Sequence, residues 1–583
     1  MIEILGDLVN SGGGKVSIGS DTTDSVDMGS LNNNSNSDTV VKGAEITSEY
    51  SGNWGGSLSI GNDKTKSVVM NGFGSANKAK NLIQGGTIST GSLGVWGAGA
   101  SFKADREFKV AKDGNTQDIG VTGGGTLSVT AGSVEAGRLS ISGIFNPITK
   151  ESHPSKINFH AADKKGIYLS GGLFAFSRAD VLMDSNIVQL NSRSETDSYG
   201  GKFSDSINST DSTILIGRDG SQITLNGRLF NAGSNVTLNG RSIHISAVQA
   251  DDDGVIRGKS VEAHGDSVTY IGNESTRMVD IDGKTNTSGN TVLAIHGRNI
   301  SLSYAKGIAL SGYGGGNKGE ISIGGAETDS LTITGQVYSQ GINRLNLSGE
   351  HITVDSTGYD GSESTQFPFS ESLVTPQNSI DAGDKRTKTI FISSGLSAQN
   401  GNINVQGKEI AIGASSYFNT HEIKNWNGPL TDGYIAYAAN GNVNIGSEDT
   451  NTVKLYNGQL FVGGADINIL GKAISVASSA DYITPDKDGS VNMIHAKGGN
   501  VRIGSENSDT VALSGGKLFA DGKDITVKGK NISVASSADY ITPDKDGSVT
   551  MVHATGGNVN IGSENSETVA LQGGHASCRW CIL

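Results

Sequence analysis

Cysteine is almost absent from this chain of 583 residues, and its two cysteines, Cys578 and Cys581, lie close to the C-terminal end. A chain that contains no other cysteine is not built on a disulfide framework. Cys-x-x-Cys spacing occurs in redox and metal sites, but here no second pair of ligands accompanies it. The segment also departs from the pattern before it, so we interpret 575–583 as an off-pattern tail.

Proline and aromatic residues are also scarce, with 7 prolines and 6% aromatics against 84 glycines. The glycines follow no Gly-X-Y period, which excludes a collagen helix. Apolar residues make up 35% of the chain and recur at short, regular intervals. That content is too high and too regular for a disordered chain. This composition argues against ordinary globular domains.

Runs of basic residues and long apolar runs are both lacking. The net charge is −14, so a polyanion would be repelled and we expect no nucleic-acid partner. No stretch approaches 18 consecutive apolar residues, so we expect no transmembrane segment. The start, MIEILGDLVNSGGG, lacks the basic and apolar regions of a signal peptide. If the protein is secreted, we expect its signal to lie outside this chain.

Two short patterns repeat along the chain. One is Ile-Gly followed closely by an acidic residue, as at Ile445 and Ile503; the other is Gly-Lys or Gly-Arg followed by Ile, as at Gly471 and Gly529. The glycine of the first pattern precedes that of the second by 25 residues in four copies. Together they define a unit of 58 residues, as between Gly471 and Gly529, which is regular over 210–574 and degenerate over 1–209.

Within a unit, apolar residues alternate over short runs such as Val501/Ile503 and Ile525/Val527. A period of two indicates β-strands, and the Gly, Asn, Asp and Ser residues between the runs supply turns. Short strands at a fixed period predict a parallel β-helix, or β-solenoid. One unit then holds two coils, or three thinner ones. A β-sandwich is the competing fold, but it would need longer strands and a larger aromatic core.

Some segments interrupt the strand pattern and are predicted to be loops inserted into the solenoid: 355–388, 413–440, 477–489 and 535–547. The last two lie in identical copies of ISVASSADYITPDKDGSV. Insertions in solenoids fall on one face, which is often the binding face. The insert 413–440 concentrates aromatic residues, which can stack on sugar rings or anchor a protein partner. The candidate binding residues are Tyr417, Phe418, His421, Trp426, Tyr434 and Tyr437. Alternatively, these rings fold back onto the solenoid as a small satellite core.

The sequence offers little that indicates catalysis or metal binding. An acidic residue occupies the second position after Ile-Gly in seven copies, where stacked coils could align it into a cation-binding row. A solvated turn is the simpler interpretation, which we favour. The ten histidines are scattered, and no H-E-x-x-H, G-x-S-x-G or Walker motif is present. We therefore predict no catalytic residue, no metal, no cofactor and no enzymatic activity. The acidic residues are Asp21, Asp63, Asp219, Glu274, Glu448, Glu506 and Glu564.

The repeated stretches GNVNIGSE, VALSGG and DITVKGKNISV resemble passenger regions of bacterial autotransporter (type V secretion) adhesins and filamentous-haemagglutinin-like exoproteins. The resemblance covers most of 1–574. It implies an elongated, right-handed β-helix that serves as a stalk or adhesin in adhesion, cell aggregation, biofilm formation or virulence. The implied partner is a glycan or protein on a host-cell or bacterial surface.

The same resemblance implies an extracellular location, anchored at the bacterial outer membrane by a translocator barrel that we expect elsewhere. The chain departs from the family's pattern in showing no signal peptide, barrel or secretion domain, which makes export itself an inference. Two alternatives stay open: a phage tail-fibre or tailspike-like protein, and a secreted β-helix polysaccharide lyase or hydrolase.

Overall fold

The computed structural model describes most of the chain, and every regular element in the described part is a β-strand. In that part, no helix is long and apolar enough to cross a membrane. Contacts divide the chain into two compact units, Met1–Gly283 (unit 1) and Lys284–Leu583 (unit 2). The described residues are 1–34, 36–112, 115–145, 151–162, 164–193, 195–196, 202–246, 259–313, 319–340, 342–356, 373–375, 378–413, 434–478, 492–536, 549–578 and 580–582.

Each coil consists of three strands, one on each of three faces. In one coil of unit 2, Val443–Gly446 lies on face 1, Thr452–Tyr456 on face 2 and Gln459–Gly463 on face 3. Each strand pairs in parallel with its counterpart in the next coil; on face 2, for example, Val453 lies opposite Ile474. This arrangement is a parallel β-helix, which confirms the predicted fold.

Unit 1 contains the following strands of the coils, in chain order. Several of them bend around a corner and contribute to two faces. They are Ile2–Ile4, Leu8–Asn10, Lys15–Ile18, Ser25–Asn33, Asp38–Val41, Glu45–Asn53, Ser57–Ile60, Ser67–Met70, Phe73–Ala76, Lys80–Thr90, Leu93–Trp96, Gly99–Lys112, Ile119–Thr122, Thr126–Ala136, Leu139–Ser142, Lys156–Ala161, Ile167–Leu169, Leu173–Phe176, Asp180–Ser185, Ile187–Asn191, Asp205–Thr210, Thr213–Ile216, Gln222–Asn226, Arg228–Ala232, Asn235–Leu238, Ser242–Ser246, Lys259–His264, Val268–Ile271 and Met278–Asp282.

Unit 1 also contains short antiparallel pairs of strands. Asn115–Thr116 pairs with the end of Gly99–Lys112, Ile144–Phe145 pairs with Ser152–His153, and Glu195–Thr196 pairs with Lys202–Phe203.

Unit 2 contains the strands Lys284–Ser288, Val292–Ile295, Asn299–Tyr313, Gly319–Ile323, Ser330–Gln340, Ile342–Leu347, His351–Asp355, Leu373–Thr375, Ser379–Ala382, Thr389–Ile392, Leu396–Ala398, Ile403–Val405, Glu409–Gly413, Tyr434–Ala438, Val443–Gly446, Thr452–Tyr456, Gln459–Gly463, Ile467–Leu470, Ala473–Ala477, Asn492–Lys497, Val501–Ile503, Thr510–Ser514, Lys517–Asp521, Ile525–Val527, Asn531–Ala535, Thr550–Thr555, Asn558–Ile561, Thr568–Gln572, His575–Ser577 and Trp580–Ile582.

The core of each unit consists of ladders of apolar side chains inside the coils, mostly aliphatic, with buried aromatic rings such as Phe102 in unit 1 and Tyr338 in unit 2. On face 2 of unit 2, Ile410, Val453, Ile474, Val511 and Ile532 occupy one level in successive coils, and all are buried. Removing such side chains from water contributes about 1.5–3 kcal/mol for each residue. The strict alternation of apolar and polar residues follows from this geometry, because neighbouring side chains in a strand point to opposite sides.

The 58-residue unit corresponds to two coils. The chain turns from face 1 to face 2 through Gly446–Asn451 in one coil and through the shorter Gly471–Lys472 in the next. The Ile-Gly and Gly-Lys patterns are therefore two forms of the same corner, one coil apart. The sequence shows no clear Ile-Gly corner one coil before Gly407. In the structure, that corner begins at Gly383. Ala382 stands there in place of the usual isoleucine.

The long connections of unit 2 all leave from the corner between faces 2 and 3, and they occur in every second coil. In the alternate coils the same connection has two or three residues, as between Tyr456 and Gln459. The long connections run from His351–Asp355 to Leu373–Thr375, from Glu409–Gly413 to Tyr434–Ala438, from Ala473–Ala477 to Asn492–Lys497 and from Asn531–Ala535 to Thr550–Thr555.

Parts of the predicted inserts and of the predicted tail belong to the β-helix. The interval 355–388 contains the strands Leu373–Thr375 and Ser379–Ala382, and 413–440 contains Tyr434–Ala438. In the tail, His575–Ser577 and Trp580–Ile582 extend faces 3 and 1 by parallel pairing. The tail is therefore not off the structural pattern, although it lacks the usual residues, and Cys578 in it is disulfide-bonded.

Candidate functional site

The six aromatic candidates divide into two groups. Tyr417, Phe418, His421 and Trp426 lie in 414–433, outside the described residues. Tyr434 and Tyr437 lie in the strand Tyr434–Ala438, at the start of face 3.

Both tyrosines join a ladder of rings that runs along face 3. Tyr437 stacks on Phe461 with ring centroids 5.3 Å apart and an interplanar angle of 11°, and Tyr434 lies 4.9 Å from Tyr437. His495, Phe519 and His553 continue the ladder at centroid distances of 5.2, 4.8 and 5.3 Å. All six rings are half-buried.

Packing within this aromatic ladder takes up much of the ring surface. Phe461 stacks on one face of Tyr437, and Tyr434 contacts the same ring. These contacts give both tyrosines a packing role, and ligand binding by them stays a prediction. The sequence does contain a signal for the ladder, since Phe461/Phe519 and His495/His553 are equivalent positions of the repeat.

Among the acidic residues of the Ile-Gly corners, Asp21, Asp219, Glu448 and Glu506 form ion pairs or hydrogen bonds with residues of later coils. Asp21 accepts from Lys42 at 3.1 Å and from Lys64 at 3.4 Å, and these bonds lower the pKa of its carboxyl group. Glu506 pairs with Lys528 at 2.9 Å. In the described residues no three His, Cys, Asp or Glu side chains are grouped so that they could hold a metal ion.

A charged cluster on the adjacent strands Asp205–Thr210, Arg228–Ala232 and Lys259–His264 of unit 1 is not apparent from the sequence. Arg228 Nε donates to the fully buried Asp205 at 2.7 Å, and its Nη1 donates to Glu262 at 2.5 Å. Glu262 also accepts from Lys259 at 2.6 Å and lies 3.0 Å from Nε2 of His264. Burial raises the pKa of Glu262, but the bonds from His264 and Lys259 and the nearby positive charges outweigh it and lower the pKa to about 2. The charges of this cluster compensate one another, and removing one partner would leave a buried charge without compensation.

No family model, curated protein or solved structure matches the chain. The geometry accordingly defines a class of protein. It is a parallel β-helix whose long connections in unit 2 emerge at one corner and which carries a ladder of aromatic rings on face 3 of that unit.

Proposed function

We propose that the chain is a non-enzymatic, surface-exposed passenger that acts as a stalk and adhesin of an autotransporter-like protein. The observation that carries this proposal is the placement of the long connections of unit 2. They leave the scaffold at one corner, between faces 2 and 3, in every second coil. A scaffold of this kind displays a row of variable loops without changing its own core.

The spacing of the loops suits multivalent contact. Coils of a β-helix stack about 4.8 Å apart, so connections in alternate coils leave the scaffold roughly 10 Å apart. Each contact can be weak, because linked sites on one rigid body raise the effective concentration for the next contact. The partner in this proposal is a glycan or protein on a host-cell or bacterial surface. The resemblance to autotransporter passengers supports an extracellular location at the outer membrane.

A short connection between faces 2 and 3 serves as the template for the loop-replacement variant in the first test. Tyr456 and Gln459 are joined by Asn457 and Gly458, with Asn457 at a φ of 62°. Replacing 414–433 by Asn-Gly copies a connection that the β-helix already uses. The same replacement at 479–491 gives a matched control, because it removes a connection that is poorer in aromatic residues.

The experiment compares adhesion of protein-coated beads to bacterial and epithelial cells for the wild type and both variants. We expect adhesion that falls at least about tenfold when 414–433 is replaced and less when 479–491 is replaced. Circular dichroism checks that each variant keeps its β-sheet signal. If folded wild-type protein binds no cell surface, the adhesin proposal is wrong. A stable trimer in light scattering would favour the tail-fibre alternative, and depolymerisation of a polysaccharide would favour the lyase.

A further inference from the structure

We infer that face 1 of unit 2 carries a binding site for neutral oligosaccharides, beside the corner between faces 1 and 2. This inference rests on the proposed adhesive function, and it extends that function by naming a class of ligand and a site outside the predicted inserts. Three observations carry it: a polar cleft, a ladder of side-chain amides with unused hydrogen-bonding groups in that cleft, and a missing bond between the two corners that border it.

The cleft has a volume of 610 Å³, which is within the range of ordinary ligand sites. Its lining comes from four successive coils, so the cleft spans roughly 14 Å along the coils. Val405 is the one apolar residue, besides glycines, among the described residues that line it. Such a lining suits a ligand whose surface consists of polar groups. The described lining residues are Arg344, Asn346, Ser348, Asp381, Gly383, Asp384, Asn404, Val405, Gln406, Asn444 and Gly446.

The cleft lies away from the corner at which the long connections leave. These connections start between faces 2 and 3, and that corner lies across the coil from face 1. The corners that border the cleft, 383–388, 407–408 and 446–451, all belong to the described residues. The strands under the cleft pair with a neighbour on both sides, so they offer no free edge to which an extended peptide could add.

The charged groups of the lining are already paired. Nε of Arg344 lies 3.4 Å from Oδ2 of Asp381, and Nη2 of Arg386 lies 2.6 Å from Oδ2 of Asp384. An uncharged ligand can enter without separating these pairs, whereas a charged ligand would have to compete with them. The pairing therefore favours a neutral ligand.

A ladder of side-chain amides supplies the hydrogen-bonding groups. Nδ2 of Asn404 donates to Oδ1 of Asp381 at 2.8 Å, and Nδ2 of Asn444 donates to Oδ1 of Asn404 at 2.9 Å. Oδ1 of Asn444 accepts in turn from Asn468 at 2.9 Å. A carboxamide has two N–H groups and two oxygen lone pairs, so Asn404 and Asn444 each keep one donor and one acceptor. The carboxamide of Gln406 makes no hydrogen bond with any described residue. Sugar hydroxyls, which both donate and accept, match these groups.

A bond that closes the surface between the long corners of later coils is missing at the cleft. Oε2 of Glu448 accepts from Nδ2 of Asn507, two coils later, at 3.1 Å, and this bond spans the short corner between them. Lys385 and Asp449 occupy the equivalent positions at the cleft, and they form no hydrogen bond or ion pair with each other. The space above the short corner therefore stays open there. The same bond recurs between Glu506 and Asn565.

The test measures binding of cellohexaose, mannohexaose and laminarihexaose by isothermal titration calorimetry, beside hexagalacturonate as a charged comparison. We expect the wild type to bind at least one neutral hexasaccharide at least about tenfold more tightly than hexagalacturonate. Gln406→Ala should weaken this binding by at least about threefold and leave the fold intact. The double variant Lys385→Glu with Asp449→Asn recreates the corner bond of Glu448 and Asn507 across the cleft. It should weaken binding by at least about tenfold, because the bond closes the open space.

A matched control separates the cleft from the rest of face 1. Asn560 lies in the same outward row as Asn404 but outside the cleft, so Asn560→Ala should leave binding unchanged. Circular dichroism checks that each variant keeps its β-sheet signal.

Several results would overturn the inference: no binding of the three neutral hexasaccharides, tighter binding of hexagalacturonate, unchanged binding by Gln406→Ala or by the double variant, or an equal loss in Asn560→Ala. If the protein adheres to cells but binds none of the neutral hexasaccharides, the inference fails and the proposed function stands. If it binds one of them but no cell surface, the proposed function fails instead.

Discussion

Thr450 Oγ1 donates a hydrogen bond of 2.7 Å to the carbonyl oxygen of Gly407, one coil earlier. The same hydroxyl accepts from the backbone N–H of Ser447 at 2.9 Å, which closes the Ile-Gly corner. The bond thus joins the two forms of the corner in neighbouring coils. It recurs with distances of 2.6–2.8 Å in the pairs Thr65–Gly43, Thr276–Gly240, Thr328–Gly297, Thr387–Gly349, Ser508–Gly471 and Ser566–Gly529.

Thr450→Val should destabilise the coils around residue 450. Thr450 is fully buried, so the substitution keeps the shape but leaves the carbonyl of Gly407 and the N–H of Ser447 without their partner. Such losses cost about 1–3 kcal/mol. Hydrogen exchange of the backbone amides in Glu409–Gly413 and Thr452–Tyr456 measures the effect locally, since a repeat protein need not unfold in one step.

The hydroxyl itself can be tested with Thr450→Ser, because Ser508 and Ser566 make the same bond in their corners. This variant should retain most of the protection that Thr450→Val loses. Equal loss in both variants would show that the threonine methyl group, and not the hydroxyl, stabilises the corner.

Gly504→Ala should be more destabilising than the identical substitution at Gly522. Gly504 has a φ of 72°, and a Cβ there would lie 2.1 Å from the carbonyl oxygen of Lys528 in the next coil. Gly522 has a φ of 85° but no atom within 4 Å of such a Cβ. Gly522→Ala therefore reports the conformational cost alone, about 1–2 kcal/mol, and Gly504→Ala adds the clash. Thermal unfolding of both variants measures the difference, and similar shifts in Tm would mean that the corner relaxes without cost.

The fold is predictable from this sequence because each inward position must carry a side chain that fills the same narrow core. Val453, Ile474 and their equivalents therefore repeat visibly along the chain. The corner of Gly383 escapes detection because Ala382 fills the core there without the usual isoleucine. The strand Leu373–Thr375 is hidden for another reason: it is only three residues long and follows a long insertion.

The candidate sites are much less predictable. The charged cluster of unit 1 depends on Asp205, Arg228 and Glu262, which come from different coils and follow no common spacing. Outward residues are not constrained by the core, so the pattern that reveals the β-helix carries little information about them. The aromatic ladder could in principle be predicted, since Phe461 and Phe519 occupy equivalent positions of the repeat. In the sequence, however, single aromatic residues that lie far apart resemble ordinary surface residues.

The cluster around Glu262 should make unit 1 sensitive to acid. The pKa of Glu262 is lowered to about 2 from an ordinary value of 4.5. The ionised carboxylate of Glu262 therefore stabilises the folded state above about pH 4.5. This contribution, up to about 3 kcal/mol, is lost as the pH falls from about 4.5 towards 2. We expect Glu262→Gln to unfold at a lower temperature than the wild type at pH 7, and the gap to shrink near pH 2–3.

Glu350→Gln is the control for this prediction. Glu350 also has a lowered pKa, owing to its bond with Lys388, but the pair is exposed to solvent and adds little to stability. Calorimetric scans at several pH values should show a much smaller gap for this variant. A pH-independent gap for Glu262→Gln would contradict the assignment of the acid sensitivity to its charge.

Phe519→Ala should weaken the aromatic ladder near its C-terminal end. Phe519 lies between His495 and His553, and Nζ of Lys517 lies 5.4 Å from the centroid of its ring. Aromatic pairs contribute about 0.5–1.5 kcal/mol beyond simple burial, and an exposed cation over a ring adds up to about 1 kcal/mol. Faster hydrogen exchange in Asn492–Lys497 and Thr550–Thr555 would report the loss in the flanking coils.

Phe519→Leu separates ring contacts from burial, because leucine restores an apolar side chain but no ring. If the ladder is held by ring–ring contacts, Phe519→Leu should recover only part of the protection that Phe519→Ala loses. Full recovery would mean that the rings serve as apolar cover for face 3. In that case Tyr437, stacked on Phe461 at the other end of the ladder, could be replaced by leucine with equally little effect on the coils.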